Sequence, residues 1–195
     1  MRRNKQKSKI AQAIDLAEDI FREHYVGPET RQACFYWARA GLLACRAVGL
    51  DAVPQAGSVQ WQIQHEDSEN NAFAYSWQGL SSEETRVHAS NGYLPEMHCW
   101  FALPREQVIV DLTAGFQREN CRRLTGLAWD DDLSLPRHIV IGHGPRHRHQ
   151  HRWIYRPNHD ATLFLLAIWR ASPWGNTSET IEVAESYGDM LAAIA

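Results

Sequence analysis

Hydrophobic residues recur at helical spacing in the first quarter of the chain and then alternate with polar residues. The apolar positions of residues 8–24 follow a 3.6-residue period, which predicts an amphipathic helix. Gly27 and Pro28 interrupt this pattern, and Thr30 is a candidate N-cap for the next helix. That segment, "RQACFYWARAGLLACRAV", carries a broad apolar face and is predicted to be a buried helix that ends near Gly49.

The middle of the chain predicts a series of short strands. Alternation in "DAVPQAGSVQWQIQH" and "AFAYSW" predicts two half-buried strands, and "RHIVIG" and "HQHRWIYRP" predict two more. "MHCWFAL" and "QVIVDLT" predict a hairpin whose turn contains Pro104, Arg105 and Glu106. Asp160 is a candidate cap for a helix through "ATLFLLAIWRA", and a last helix is expected from about Ser178. This order predicts an α+β domain with an antiparallel sheet rather than repeated βαβ units.

Length, composition and charge narrow the class of protein. The 195 residues and the apolar content of 44% fit one globular domain over 1–195, with 1–9 as a flexible basic tail. The net charge of −3 argues against nucleic-acid binding through bulk charge. Acidic residues interrupt the first helix, so no secretory signal is predicted, and no apolar run reaches the roughly 18 to 20 residues of a membrane span. We therefore expect a cytoplasmic protein that does not span a membrane and whose four cysteines are reduced.

A cysteine, a histidine and an aspartate lie on predicted elements where they could form a catalytic triad. Cys34 lies at or near the start of the buried helix, where unpaired N–H groups and the helix dipole favour a nucleophilic thiolate. His98 begins one strand of the hairpin and Asp111 ends the other, which predicts that the imidazole and the carboxylate come together. His98 can take the thiol proton while Asp111 holds the second ring nitrogen. The sequence therefore predicts a Cys-His-Asp triad.

Each member of this trio also has a simpler structural interpretation. An isolated cysteine on an apolar helix face is usually a small core residue, and we interpret Cys45 in this way. Cys99 adjoins His98 but is expected on the opposite face of the sheet. Cys121 lies in a polar, arginine-bearing segment and is expected at the surface. Only the ordered combination of cysteine, histidine and aspartate favours catalysis over packing.

The same segments resemble the transglutaminase-like branch of the papain-like cysteine enzymes. The cysteine opens a helix that ends in "RAVGLDAVP", the histidine strand contains "HCW" where the family commonly has H-x-W, and the aspartate closes "VIVDLT". The resemblance covers roughly residues 30–115. It implies a papain-like core, in which a buried nucleophile helix packs on an antiparallel sheet, with Cys34, His98 and Asp111 catalytic. Arylamine acetyltransferases share this layout, so the resemblance implies a triad rather than one reaction.

The expected function is cleavage or transfer at an amide, ester or thioester bond through a thioester on Cys34. The protein would be a protease-like or amidase-like hydrolase, or an acyltransferase, acting on a peptide, an amine or a small acyl substrate. The alternative is a transglutaminase-like binding module without catalysis. The backbone N–H of Cys34 is one candidate oxyanion donor. Candidate side chains for the oxyanion hole or for substrate binding are Gln32, Gln60, Gln62, Trp61 and Trp100.

The stretch "HGPRHRHQHRW", residues 143–153, is a second unusual feature. As a strand it would place His147, His149 and His151 on one face, and three imidazoles at this spacing can bind a first-row metal. However, the intervening arginines repel a cation, and no acidic residue or cysteine within the stretch completes a ligand set. We expect a solvated segment or a cationic rim for an acidic substrate, and we expect neither a bound metal nor another cofactor.

Overall fold

The computed structural model describes residues 2–24, 34–65, 72–75, 77, 97–133, 135–142 and 152–171. The predicted cap at Thr30, the helix expected from Ser178 and residues 143–151 of the histidine-rich stretch lie outside them. The helices are α1 (Arg2–His24), α2 (Cys34–Ala47), α3 (Gln117–Thr125) and α4 (His159–Ala171), with short 3-10 turns at Ala114–Phe116 and Asp131–Leu133. Within these ranges no helix has both the length and the apolar character needed to cross a membrane.

Six described strands form one antiparallel sheet. They are β1 (Val53–Gln62), β2 (Ala72–Tyr75), β3 (His98–Leu103), β4 (Val108–Asp111), β5 (Ile139–Gly142) and β6 (Trp153–Pro157). The order along the sheet is β2-β1-β3-β4-β5, and β6 pairs with the second half of β1, from Gly57 to Trp61. All five strand pairings are antiparallel. The predicted α+β class with an antiparallel sheet is confirmed.

Two helix starts differ from the prediction. The helix α1 begins at Arg2, earlier than the expected start near residue 8. Lysine, arginine and glutamine, which are frequent in this segment, are good helix formers and allow the helix to extend toward the N-terminus. The cap of α4 is Asn158 rather than Asp160, since the Asn158 Oδ1 accepts the backbone N–H of Ala161 at 3.0 Å.

The larger core lies between the sheet and helices α1, α2 and α4. Phe101 and Leu103 of β3 pack here against apolar residues of all three helices. Gly41 of α2 lies directly on Phe101, because a Cβ at this position would be 2.2 Å from the ring atom Cε1. The glycine therefore permits an approach between α2 and β3 that any larger residue would prevent.

A second core covers the other part of the sheet, where Trp61 of β1 packs with Trp129 and its neighbours. Cys121 of α3 belongs to this core and is 0% exposed, so the expectation of a surface thiol is wrong. The physical reason is that the polar segment forms an amphipathic helix. Cys121 lies on its inner face, with Sγ 3.6 Å from the Thr125 Oγ1, whereas Arg122 and Arg123 remain exposed.

A buried carboxylate joins α1 to the segment that follows β4. The Glu18 Oε1 lies 2.8 Å from the His138 Nε2, and Oε2 accepts from Arg137 at 2.7 Å and from Arg22 at 3.2 Å. The other ring nitrogen of His138 lies 3.2 Å from the carbonyl oxygen of Leu112. Burial raises the pKa of Glu18, but the His138 hydrogen bond, the nearby positive charges and the Arg22 hydrogen bond lower it overall, below its ordinary 4.5. This network fixes the chain immediately after Asp111.

Candidate active site

The hairpin of β3 and β4 brings an imidazole and a carboxylate together inside the sheet. Phe101 pairs with Val110, so Asp111 is the next residue along β4 in the direction of His98. The His98 Nε2 lies 2.8 Å from the Asp111 Oδ2, and the two residues are 1% and 0% exposed. The predicted contact is therefore present. Since an ionised carboxylate only accepts hydrogen bonds, Nε2 carries a proton in this arrangement.

Asp111 receives three further hydrogen bonds. Its Oδ1 accepts the backbone N–H of Thr113 at 2.8 Å and the Thr113 hydroxyl at 2.7 Å. Its Oδ2, which already faces His98, accepts the hydroxyl of Tyr155 at 2.6 Å. Gln117 in turn donates to the Thr113 carbonyl at 3.2 Å. Both carboxylate oxygens are thus satisfied by groups from three different elements.

Cys34 lies at the N-terminus of α2 as the structure describes it, and it is half-buried. Its Sγ lies 4.0 Å from the Met97 carbonyl oxygen, at the limit of a sulfur hydrogen bond. The side chains of Cys99 and His98 lie close enough to the thiol to influence its pKa. Because Asp111 occupies the Nε2 of His98, Nδ1 is the ring nitrogen left for this thiol. The structure therefore brings Cys34, His98 and Asp111 into one network.

The environment of Cys34 strongly favours the thiolate. The side-chain hydrogen bond from Cys99 has the largest effect and lowers the pKa of Cys34, while burial raises it. The hydrogen bond and charge of His98, and the backbone N–H of Cys99, lower it further. Together these influences reduce the pKa of Cys34 from its ordinary 9.0 to about 5.

The pKa of His98 is raised and the pKa of Asp111 is lowered, so both residues favour their charged forms. Burial lowers the pKa of His98, but the charge and hydrogen bond of Asp111 and the interaction with Cys34 outweigh it and raise the pKa to about 10. Burial raises the pKa of Asp111, yet the charge and hydrogen bond of His98, with the hydrogen bonds of Tyr155 and Thr113, hold it below its usual range. At neutral pH the network therefore contains a thiolate, an imidazolium and a carboxylate.

Cys99 has a role that the sequence analysis did not foresee. Its side chain lies in the core beneath α2, on the sheet face away from the His98 ring, as expected from strand alternation. Nevertheless, its thiol lies near the start of β3, close enough to Cys34 for each thiol to influence the pKa of the other. Burial, followed by the interaction with Cys34, raises the pKa of Cys99 well above 9.0. Cys99 therefore remains a protonated donor to the Cys34 thiolate rather than a competing nucleophile.

Aromatic rings surround the His98 imidazole. Tyr75 stacks on it at 5.6 Å between ring centroids with an interplanar angle of 16°, and Trp100 lies on it at 6.1 Å and 27°. Trp61 meets it nearly perpendicularly at 5.1 Å. Because aromatic faces attract cations, faces turned toward a buried imidazolium stabilise its positive charge. The rings also keep water away from the ion pair.

The side-chain candidates for the oxyanion hole are not directed to one point. Gln32 lies outside the described residues. The Trp100 indole N–H donates to the Gln55 Oε1 at 2.8 Å. The Trp61 indole N–H has no hydrogen-bond acceptor among the described residues. It lies near the Tyr155 hydroxyl and offsets part of the rise in the pKa of that phenol. The backbone N–H at the start of α2 therefore remains the best-positioned candidate donor near Cys34.

The two glutamines that were left open are not committed to this site. Gln60 is exposed, and the Gln62 Nε2 donates to the Gln64 carbonyl at 3.2 Å. Both positions therefore fit the structural interpretation, in which these side chains lie at the protein surface or support a neighbouring segment.

Thr113 and Tyr155 are functional candidates that sequence reasoning missed. Thr113 could have been found, because an aspartate that accepts the N–H of the residue two positions later forms a common local turn. Tyr155 could not have been found in this way. It reaches the site because β6 pairs with β1, with Tyr155 opposite Val59, and this pairing is distant in sequence.

A separate group of possible metal ligands occurs at the surface. One ligand atom from each of His65, Asp130 and Asp132 lies within 4.8 Å of the others. The His65 Nε2 lies 3.0 Å from the Asp132 Oδ2, and both side chains are 65% exposed. His65 and Asp132 form an exposed hydrogen bond, and the three residues take no part in the Cys34 network.

Comparisons with known proteins leave the family open. The chain matches no protein-family model, and no curated protein matches it. One solved structure, a crystal structure of a genomics target, is similar with a TM-score of 0.46 and 14% sequence identity. The match covers 91% of this chain and 78% of the other.

Proposed function

We propose that this protein is a thiol-dependent enzyme of the transglutaminase-like type, with a papain-like arrangement of its core. The substrate class is an amide, ester or thioester, presented by a peptide, an amine conjugate or a small acyl donor. The observation that carries the proposal is the buried contact of 2.8 Å between His98 and Asp111, beside a Cys34 whose pKa is lowered to about 5. A cysteine used only for packing needs none of these arrangements.

In the proposed reaction the Cys34 thiolate attacks the substrate carbonyl carbon, and the oxyanion that forms is stabilised by backbone N–H groups at the start of α2. The imidazolium of His98 then gives its Nδ1 proton to the leaving group as the carbon–heteroatom bond breaks, which leaves a thioester on Cys34. His98 next takes a proton from water or an amine, and this acceptor attacks the thioester and releases Cys34. Asp111 holds Nε2 throughout and remains ionised.

The two outcomes of the second step are hydrolysis and acyl transfer, and they use the same side chains. The acceptor that reaches the thioester decides between them. The proposal therefore covers a hydrolase and an acyltransferase, and the first experiment is directed at the thioester, which both share.

The test uses p-nitrophenyl acetate as a general acyl donor. Rapid mixing should give a burst of p-nitrophenol, and intact mass spectrometry of the quenched protein should show one acetyl group, which peptide mapping assigns to Cys34. Added amines should then accelerate deacylation in a transferase and leave it unchanged in a hydrolase. Absence of the acetyl group on Cys34 under burst conditions would contradict the proposal and favour a non-catalytic binding module.

Three variants sharpen this result. Cys34→Ala should eliminate the burst, and Cys45→Ala, which removes a fully buried thiol of the same helix, should retain it. Asp111→Asn should reduce the burst rate by about 10²- to 10⁴-fold, because the amide favours the wrong tautomer of His98. A burst in Cys34→Ala that disappears in Cys45→Ala would show that the nucleophile was assigned to the wrong cysteine.

A further inference from the structure

The Asp111 carboxylate shares one oxygen between two donors. Its Oδ2 accepts from the His98 Nε2 at 2.8 Å and from the Tyr155 hydroxyl at 2.6 Å. Its Oδ1 is occupied by the backbone and side chain of Thr113. With both oxygens engaged, the carboxylate cannot rotate without breaking several charge-assisted hydrogen bonds.

Tyr155 is a permanent donor in this arrangement. Burial, followed by the charge of Asp111, raises the pKa of the Tyr155 phenol well above 10.0. The hydroxyl therefore keeps its proton over the whole pH range in which a thiol enzyme works. Its ring is fixed as well, because it meets Trp100 at 5.1 Å between centroids with an interplanar angle of 75°.

This geometry has a consequence for His98. A neutral or charged imidazole presents Nδ1 to Cys34 only while Nε2 is held by Asp111, because the ring turns about a single bond. Thr113 fixes the distal oxygen of Asp111, and Tyr155 fixes the oxygen that His98 uses. A residue of β6 that is distant in sequence thus supports the carboxylate that holds the imidazole.

We infer that Tyr155 is a positioning residue for the proposed thiol chemistry, which holds Asp111 on the Nε2 of His98 and so directs Nδ1 to Cys34. The inference rests on the proposed function and extends it to a residue outside the triad. The hydroxyl of Tyr155 donates to Asp111, and Tyr155 acts on His98 through this carboxylate.

The proton of the Tyr155 hydroxyl also places partial positive charge beside a network that carries excess negative charge. Removal of the Tyr155 hydroxyl should disfavour the Cys34 thiolate, so that Cys34 ionises at a higher pH. The titratable groups of the described chain that face His98 and Asp111 are Cys34 from α2, Cys99 from β3, Tyr75 from β2 and Tyr155 itself. Among these, only Tyr155 donates a phenol hydrogen bond to the carboxylate of Asp111.

The experiment measures the rate of Cys34 alkylation by iodoacetamide from pH 4 to pH 8 in the wild-type protein and in Tyr155→Phe. The variant keeps the ring and loses the hydroxyl. We expect the acid limb of its profile to move to higher pH, so that alkylation below the limb is about three- to tenfold slower, which corresponds to about half to one pH unit. Thr162→Val is the control, because it removes another buried hydroxyl, which accepts from the Ala56 N–H at 3.1 Å. It should lower thermal stability without moving the profile.

The outcomes separate the two proposals. A low acid limb in the wild-type protein that is unchanged in Tyr155→Phe overturns the role of Tyr155 and leaves the proposed function intact. An ordinary thiol profile in the wild-type protein overturns both. If Tyr155→Phe does not fold, proton NMR of the wild-type protein decides. A slowly exchanging Tyr155 hydroxyl proton with a cross-peak to the His98 Nε2 proton is expected, and a rapidly exchanging hydroxyl contradicts the inference.

Discussion

The rate at which iodoacetamide alkylates Cys34 should depend on pH in a way that separates an activated thiolate from an ordinary thiol. With a pKa lowered from 9.0 to about 5, Cys34 is almost fully ionised at pH 7, whereas an ordinary thiol is about 1% ionised. This difference alone would favour Cys34 by about 100-fold. A thiolate of low pKa is, however, a weaker nucleophile, and over four pKa units the loss is about 40- to 100-fold. The two effects nearly cancel at pH 7.

The informative measurement is therefore made at mildly acidic pH. At pH 5.5 an ordinary thiol is only about 0.03% ionised, while Cys34 remains about 75% ionised, a ratio of about 2,400. After the same correction for nucleophilicity, Cys34 should react about 25- to 60-fold faster than an ordinary thiol. Its rate should stay nearly constant from pH 6 to pH 8, where an ordinary thiol gains tenfold with each pH unit.

The other cysteines provide an internal control. Cys45, Cys99 and Cys121 are each no more than 2% exposed, and burial raises the pKa of Cys45 to about 12, with the charge of Glu106 acting in the same direction. Peptide mapping should find the label on Cys34 alone in the folded protein and on all four cysteines after unfolding in urea. A rate for folded Cys34 that rises tenfold per pH unit between pH 5.5 and pH 7.5 would refute the reasoning from which the thiolate was derived.

Three substitutions and one control variant test the scaffold around the site. Glu18→Gln should lower the free energy of unfolding at pH 7, measured by urea titration, by about 1–3 kcal/mol. Asp19→Asn is the control, because Asp19 and its partner Arg22 are each 68% exposed, and it should change this free energy by less than about 0.5 kcal/mol. Because the pKa of Glu18 is lowered in the folded state, its contribution is present above pH 4.5 and should disappear as the pH falls through the folded pKa, and a constant difference down to pH 2 would contradict the assignment. Gly41→Ala should destabilise by about 1–3 kcal/mol, since the contact with Phe101 outweighs the gain in helix propensity, and alkylation at pH 5.5 should slow. Cys45→Ala should lower stability by about 1–2 kcal/mol and leave the alkylation rate unchanged, so a changed rate would tie this thiol to the site.

Local pattern predicted the parts of the fold in which neighbours in sequence are neighbours in space. The helical period identified α2, and the hairpin with its short turn placed His98 next to Asp111, because register follows from turn length and alternation. Cys121 was misplaced because polar and charged residues hid the inner face of a short helix. Cys99 was assigned to the correct face, but its proximity to Cys34 depends on where the start of α2 lies against the strand, which the local pattern does not specify.

Tyr155 marks the limit of such reasoning. No local feature of "RWIYRP" distinguishes a tyrosine that supports a carboxylate from one at a sheet edge. The distinction arises only when β6 pairs with β1 and brings the hydroxyl to a residue 44 positions earlier.

The hydrogen bond between Trp169 and the first turn of α2 bears on the order of events during synthesis. The Trp169 indole N–H donates to the Phe35 carbonyl at 3.2 Å across 134 positions of sequence. At roughly 5–20 residues per second, Cys34 is made about 7 to 27 seconds before Trp169. Until Cys99 and His98 have docked beside Cys34, the thiol lacks the side chains that lower its pKa and stays mostly protonated at neutral pH, and the Trp169 contact can form only later still. The nascent chain therefore carries Cys34 as an ordinary, mostly protonated thiol, and the thiolate of low pKa arises only as the domain folds.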